Sequence, residues 1–202
     1  MRSLIMLGVL FISLTTNAQK TFDSRSKIGV VVGTGTNDIA KYKRLSGSGG
    51  REGKGYFLAG ISYLKPLKKR LALETGIEYT HHKIKASSAP MPEQWYWNTS
   101  ASIISIPVNA RFNFGNYFFA QGGLLLDMDI SDKEDIDKQT GIGASLGLGG
   151  KYDFKKGLSL FINPYIKNHA IFAFHTEGRG LFSNDMVLEA GARLGVLYSI
   201  GK

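Results

Sequence analysis

The chain has 202 residues, no cysteine and a formal net charge of +9. Without cysteine it can carry neither a disulfide nor an N-terminal thiol-linked lipid, so packing and backbone hydrogen bonds must hold it together. Its lysines and arginines are spread through turns and loops rather than interleaved with stacking aromatics. That argues against a nucleic-acid surface and fits either attraction to anionic head groups or plain solvation.

At the N-terminus, Arg2 precedes an apolar run from Leu4 to Leu14 and the small residues of Thr16-Asn17-Ala18. This is the pattern of a secretory signal peptide over residues 1–18, cleaved after Ala18. The run is shorter than the roughly 20 residues a spanning helix needs, and no later stretch is long and apolar enough. The remaining residues, 19–202, are expected to form one domain, and any membrane crossing has to be made by a closed barrel.

The periodicity after the signal is that of strands. The first, about 27–35, sets Ile28, Val30 and Val32 against Gly29, Gly33 and Gly35, and a polar loop over about 36–54 follows. The second, about 55–64, groups Phe57, Ala59, Ile61 and Tyr63 and ends at Lys65-Pro66-Leu67-Lys68. In the third, about 71–83, Leu71, Leu73, Ile77 and Tyr79 alternate with Glu74, Gly76, Glu78 and Thr80. A second long loop, about 84–99, contains Trp95, Tyr96 and Trp97. The segment from Ser102 to Ile130 reads as a hairpin turning at Gly115-Asn116, a pair that readily supplies positive φ. Phe119 and Leu125 interrupt its otherwise polar parity. After an acidic loop, the sixth strand (about 141–154) places Ile142, Leu146, Leu148 and Tyr152 opposite Ser145, Lys151, Asp153 and several glycines. The seventh begins near Leu158, and the eighth, about 186–200, sets Leu188, Ala190, Leu194 and Val196 against Glu189 and Arg193. Pro107 and Pro164 cannot donate to a sheet ladder, so local bulges are expected there.

The contents of the polar parity decide which face is inside. Glycines beside opposite charges suit a narrow, ion-paired lumen better than the outside of a soluble barrel, because strand glycine packs nothing. The apolar parity gathers Tyr63, Phe112, Phe114, Phe118, Tyr152, Phe154 and Tyr198 near the short turns, as an interfacial girdle would. Long and short connections alternate, so an eight-stranded antiparallel up-and-down transmembrane β-barrel is expected, with short turns and both termini in the periplasm. A secreted lipocalin-like ligand carrier is the alternative architecture.

Ile104 to Phe114 (ISIPVNARFNF), the glycines at Gly122-Gly123 and from Gly141 to Gly150, and the leader ending Asn17-Ala18-Gln19 together resemble the porin-like outer-membrane β-barrel domain proteins of Gram-negative bacteria. The resemblance implies an exported barrel in the cell outer membrane, a member of a family most of whose proteins have no assigned activity. It also implies an alternative role, since one branch resembles components of a secretion and gliding apparatus. The chain departs from many outer-membrane barrels by ending Tyr198-Ser199-Ile200-Gly201-Lys202 rather than on an aromatic residue.

A lumen charge network of Glu74, Glu78, Arg111, Lys151, Glu189 and Arg193 is expected, with the arginines paired to the three glutamates. Trp95, Tyr96 and Trp97 are the candidates for contact with the interface or a partner. The expected partners are outer-membrane lipid and an envelope protein reached through the long loops, with no nucleic acid. His81, His82, His169 and His175 show no metal-ligand spacing, so no metal and no cofactor is expected. A lipid-modifying hydrolase would need a serine, a histidine and an acid at one rim; His82, Ser87 and Ser88 lie close in sequence but lack the acid. Asp129, Asp132, Glu134, Asp135 and Asp137 read as a solvated acidic loop rather than a calcium site, lacking the EF-hand glycine and terminal glutamate. No catalytic residue is expected, and the chain reads as a non-enzymatic barrel, structural or partner-binding, with no large open pore.

Overall fold

The computed structural model describes residues 24–41, 49–89, 93–131, 136–174 and 185–201. The expected signal peptide lies outside them. Eight strands follow in chain order: β1 (Ser26–Lys41), β2 (Arg51–Pro66), β3 (Leu71–Ser87), β4 (Tyr96–Phe114), β5 (Phe118–Asp129), β6 (Gly141–Asp153), β7 (Leu158–Ala173) and β8 (Asp185–Ile200). Each pairs antiparallel with its sequence neighbours, and β8 closes on β1 through an unbroken register from Ser26↔Ile200 to Lys41↔Asp185. Closure leaves no free edge, so every wall strand is hydrogen-bonded on both sides.

The parity is inverted relative to a water-soluble barrel. Ile28, Val30, Ile61, Ile77, Leu124, Leu146 and Leu194 face outward and are exposed, while Glu74, Glu78, Arg111, Glu189 and Arg193 are buried inside. An apolar surface of that extent calls for lipid rather than water. Phe119 and Leu125, which break the polar alternation of β5, also point inward and are fully buried. Aromatics ring the short-turn end on the outside: Phe114 stacks on Phe118 at 6.1 Å, Tyr117 on Tyr152 at 6.2 Å, and Tyr152 meets Phe154 edge-on at 4.8 Å.

The short connections are built as their residues dictate. Gly115 and Gly157 take φ of 64° and 84° at the β4–β5 and β6–β7 turns, a region glycine enters without the Cβ clash. The strands run further toward the long-loop end than the sequence suggests, and β3 and β4 still pair at Ser87↔Tyr96. Tyr96 and Trp97 therefore lie on a strand rather than in a loop. Polar outward residues hide this extension, because beyond the lipid belt neither face of a strand needs to be apolar.

The bulges expected at the prolines are absent. The β4–β5 register passes through Pro107↔Leu125 and the β7–β8 register through Pro164↔Ala192 without a shift. At Pro164 a side chain supplies the missing donor: Asn163 Nδ2 donates to Leu148 O at 2.8 Å, on the residue that faces Pro164 in the β6–β7 alignment. The real irregularities lie elsewhere, between Gly53 and Tyr56 on β2 and between Ile142 and Ala144 against β7. Gly55 takes φ 96° in the first, and Ala170 takes φ 48° opposite the second. Each re-aims the residues beside it: the first turns Tyr56 inward, and the second leaves His169 and Ala170 both buried.

Candidate functional site

The lumen is filled in layers from the short-turn end to the long-loop end. In the lowest, Lys27 Nζ donates to Asp153 Oδ1 and to Ser159 Oγ, each at 2.7 Å, and Lys151 Nζ lies 3.7 Å from Asp153 Oδ2. Lys151 thus belongs to this cluster and not to the central network expected from the sequence. Its position near the end of β6 puts it below the glutamates of β3.

The central layer joins β3, β4, β7 and β8. Arg193 Nη1 donates to Glu78 at 2.7 Å, its Nη2 to Glu74 at 2.6 Å and its Nε to Asn163 Oδ1 at 3.1 Å. Arg111 pairs with the other oxygen of Glu74, and Lys167 Nζ reaches Glu78 Oε2 at 2.5 Å. All five charges are buried. Two aromatic rings complete the layer: the Arg111 guanidinium stands 3.9 Å from the Phe119 ring centre and 4.9 Å from that of Phe161, and the rings meet edge-on at 6.0 Å. Glycine opposite these rings is a matter of space, since a Cβ on Gly195 would lie 2.1 Å from Phe161 and one on Gly149 2.2 Å from Phe119. A glycine on one strand lets the ring of its register partner on the next strand lie across it.

Glu189 is not in this layer. It lies nearer the long loops, 2.9 Å from His169 Nε2 and 3.2 Å from His82 Nε2, while Asp127 Oδ2 stands 3.1 Å from His169 Nδ1. The expected pairing of Glu189 with an arginine therefore gives way to a histidine cluster, because β8 carries Glu189 one storey above Arg193. Tyr56 adjoins this cluster, its ring 5.6 Å from His82 and its hydroxyl donating to the Tyr165 hydroxyl at 2.8 Å.

The mouth is closed by the end of the acidic loop. Gln139 is fully buried, donating from Nε2 to Asp185 O at 2.7 Å and accepting from Val187 N at 3.1 Å, and Ile136 packs with Ile39, Ile84, Ala101 and Val187. Asp129 clamps the loop, accepting from Ser131 N and Gln139 N, each at 2.8 Å. This end of the loop is thus a plug rather than the solvated segment expected; Asp132, Glu134 and Asp135 lie outside the described residues, as does His175. Arg51 pairs with Asp185 beside the plug.

The Ser–His reading based on His82 fails, since His82 is buried in the lumen while Ser87 and Ser88 stand at the rim. His81 instead faces outward with Nδ1 3.0 Å from Ser102 Oγ, and the Tyr79 hydroxyl lies 3.2 Å from the same oxygen. Trp95, Tyr96 and Trp97 are all exposed at the long-loop end, and Lys85 Nζ lies 4.5 Å over the Tyr96 ring. A cleft of about 340 Å³ opens on the outer wall beside the β2 bulge, with Lys54, Phe57, His81 and Lys83 among its lining residues.

A closed eight-stranded ring with a charged lumen and an apolar exterior is the architecture of an outer-membrane barrel. A family of this kind, described as outer membrane protein beta-barrel domain, matches residues 4–164. The chain belongs to this family. It is an outer-membrane protein. Two solved structures align with it: the outer membrane protein OprG from Pseudomonas aeruginosa and the translocator domain of the autotransporter NalP from Neisseria meningitidis. The OprG alignment has 10% identity and a TM-score of 0.46, covering 89% of this chain and 97% of that one. The NalP alignment has 10% identity and a TM-score of 0.35, covering 98% and 96% respectively. Among curated proteins, none matches.

Proposed function

We propose that this outer-membrane barrel is a non-enzymatic protein with no large open pore that presents its long-loop end to lipid and to an envelope partner. The observation that carries the reading is the filled lumen: five buried charges and two phenyl rings occupy its middle, and Gln139 and Ile136 close its mouth. A barrel of about eight strands has just the width that side chains fill, so what remains available to other molecules is the outer wall and the rim. On that rim Trp95, Tyr96 and Trp97 supply exposed aromatic surface, of the type that seats in an interface or anchors a partner. In this reading the short turns and both chain ends face the periplasm, and the contacts are made outside the cell.

One observation favours a second reading, a lipid hydrolase: His81 and Ser102 meet at 3.0 Å on the outward wall. The third member of that group is the Tyr79 hydroxyl rather than a carboxylate, which leaves the imidazole without the usual orienting acid. Vesicles containing the barrel, outer-membrane lipid labelled in its acyl chains and an entrapped small solute test both readings at once. The proposal expects no lipid product and no porin-like loss of the entrapped solute. Lipid product that disappears in Ser102→Ala would replace it with the hydrolase.

A further inference from the structure

We infer that His82, His169 and Glu189 form a buried site for one divalent transition-metal ion of the zinc class. The three come from β3, β7 and β8, and all are fully buried. Their ligand atoms lie within 4.8 Å of one another. Two imidazoles and a carboxylate are a donor set that suits a borderline ion such as zinc. Tetrahedral coordination at about 2.0–2.1 Å sets neighbouring ligand atoms about 3.3 Å apart. Glu189 Oε1 already stands 3.2 Å from His82 Nε2 and 2.9 Å from His169 Nε2.

The hydrogen-bonding of His82 favours an ion over a simple polar cluster. Both its ring nitrogens are buried without a hydrogen-bond partner, although Nε2 is near Glu189. The two atoms converge without being aligned as donor and acceptor, as ligands do when they face a common point. A buried ring nitrogen without a partner costs about 1–3 kcal/mol, and an ion at that point satisfies Nε2, the nitrogen that faces Glu189. Asp127 stands 3.1 Å from the far nitrogen of His169; the two are not aligned as a hydrogen bond, but the carboxylate lies where an outer carboxylate orients a metal-bound histidine.

In the two storeys concerned, Glu74 and Glu78 are matched by Arg111, Arg193 and Lys167 while Asp127 and Glu189 flank His169, so four carboxylates face three cations there. The surplus cation of the lowest layer, where Lys27 and Lys151 share Asp153, lies at the other end of the lumen. A metal ion or a proton on His169 supplies positive charge, but a proton there leaves His82 Nε2 without a partner. The site would tie opposite walls of the barrel, since β3 and β7 lie four strands apart in a ring of eight. Because the plug covers it, loading belongs to folding rather than to diffusion through the finished mouth.

The test uses the full barrel without an affinity tag, refolded in detergent with zinc or with cobalt(II), then washed with chelator. Folded protein is scored by its altered gel mobility before heating. The site predicts stoichiometric retained metal by mass spectrometry and visible cobalt ligand-field bands. Glu189→Gln and His82→Gln should lose both signals in the folded fraction, whereas His81→Gln, on the outer wall, should keep them. Asp127→Asn should weaken binding about 10–100-fold. Folded wild-type barrel that retains neither metal, or His82→Gln that retains as much as wild type, overturns the site and leaves a protonated His169 between two carboxylates.

Discussion

Replacing Arg193 with methionine keeps the stem of the side chain and removes its charge and three hydrogen bonds. Glu78 loses a donor at 2.7 Å, Glu74 one at 2.6 Å and Asn163 Oδ1 one at 3.1 Å. Removing one partner from a buried ion pair costs about 3–5 kcal/mol, because the remaining charge is left uncompensated in a medium of low dielectric. Here both carboxylates keep a second cation, Arg111 on Glu74 and Lys167 on Glu78. The expected loss is therefore at the lower end, about 3 kcal/mol. Urea unfolding of the barrel in lipid vesicles, followed by gel mobility, measures it. Adding Glu74→Gln should cost less than the sum of the two single changes, since it removes the carboxylate that Arg193 no longer neutralises. A loss under about 1 kcal/mol with strictly additive singles would mean that solvent, and not Arg193, balances these glutamates.

Other substitutions probe separate parts of the account. Leu194→Arg, outward and in mid-strand opposite Val32 and Ile162, should cost about 2–4 kcal/mol if that position lies near the bilayer midplane; cysteines at 189 and 193 that react with lipid-soluble probes while one at 194 does not would reverse the inside-out assignment. Asn163→Ala should cost about 1–3 kcal/mol by orphaning Leu148 O, and Pro164→Ala in that background should restore part of it, since alanine, unlike proline, has a backbone N–H to offer the same carbonyl. Gly195→Val should cost about 1–3 kcal/mol, measured in the same unfolding experiment, because its Cβ would lie 2.1 Å from Phe161.

That Glu74 and Glu78 share one face, as do Glu189 and Arg193, was readable from the sequence because a strand's period of two assigns each residue to a face. Height within the barrel was not. It depends on how each strand is staggered against its neighbours, so Glu189 fell one layer above Arg193, Lys151 fell below the central network, and the partnership of Lys167 with Glu78 went unseen. His82 and His169 share the inward parity of their strands, yet they lie far apart in sequence and no motif links them. Pro164 misled for a related reason: a ladder needs a donor, and the neighbouring Asn163 side chain supplies one without changing the register. Tyr96 and Trp97 read as loop because a strand that has left the membrane no longer needs an apolar face.

The central claim, that side chains and the Gln139 plug fill this barrel, is tested most directly by single-channel recording of the purified monomer in a planar bilayer. The account predicts no steady porin-sized conductance from the wild type, and at most small leaks that grow in Gln139→Ala and change when Arg111 or Arg193 is replaced. A steady large conductance from wild-type monomers would contradict it and make the charged lumen a permeation path.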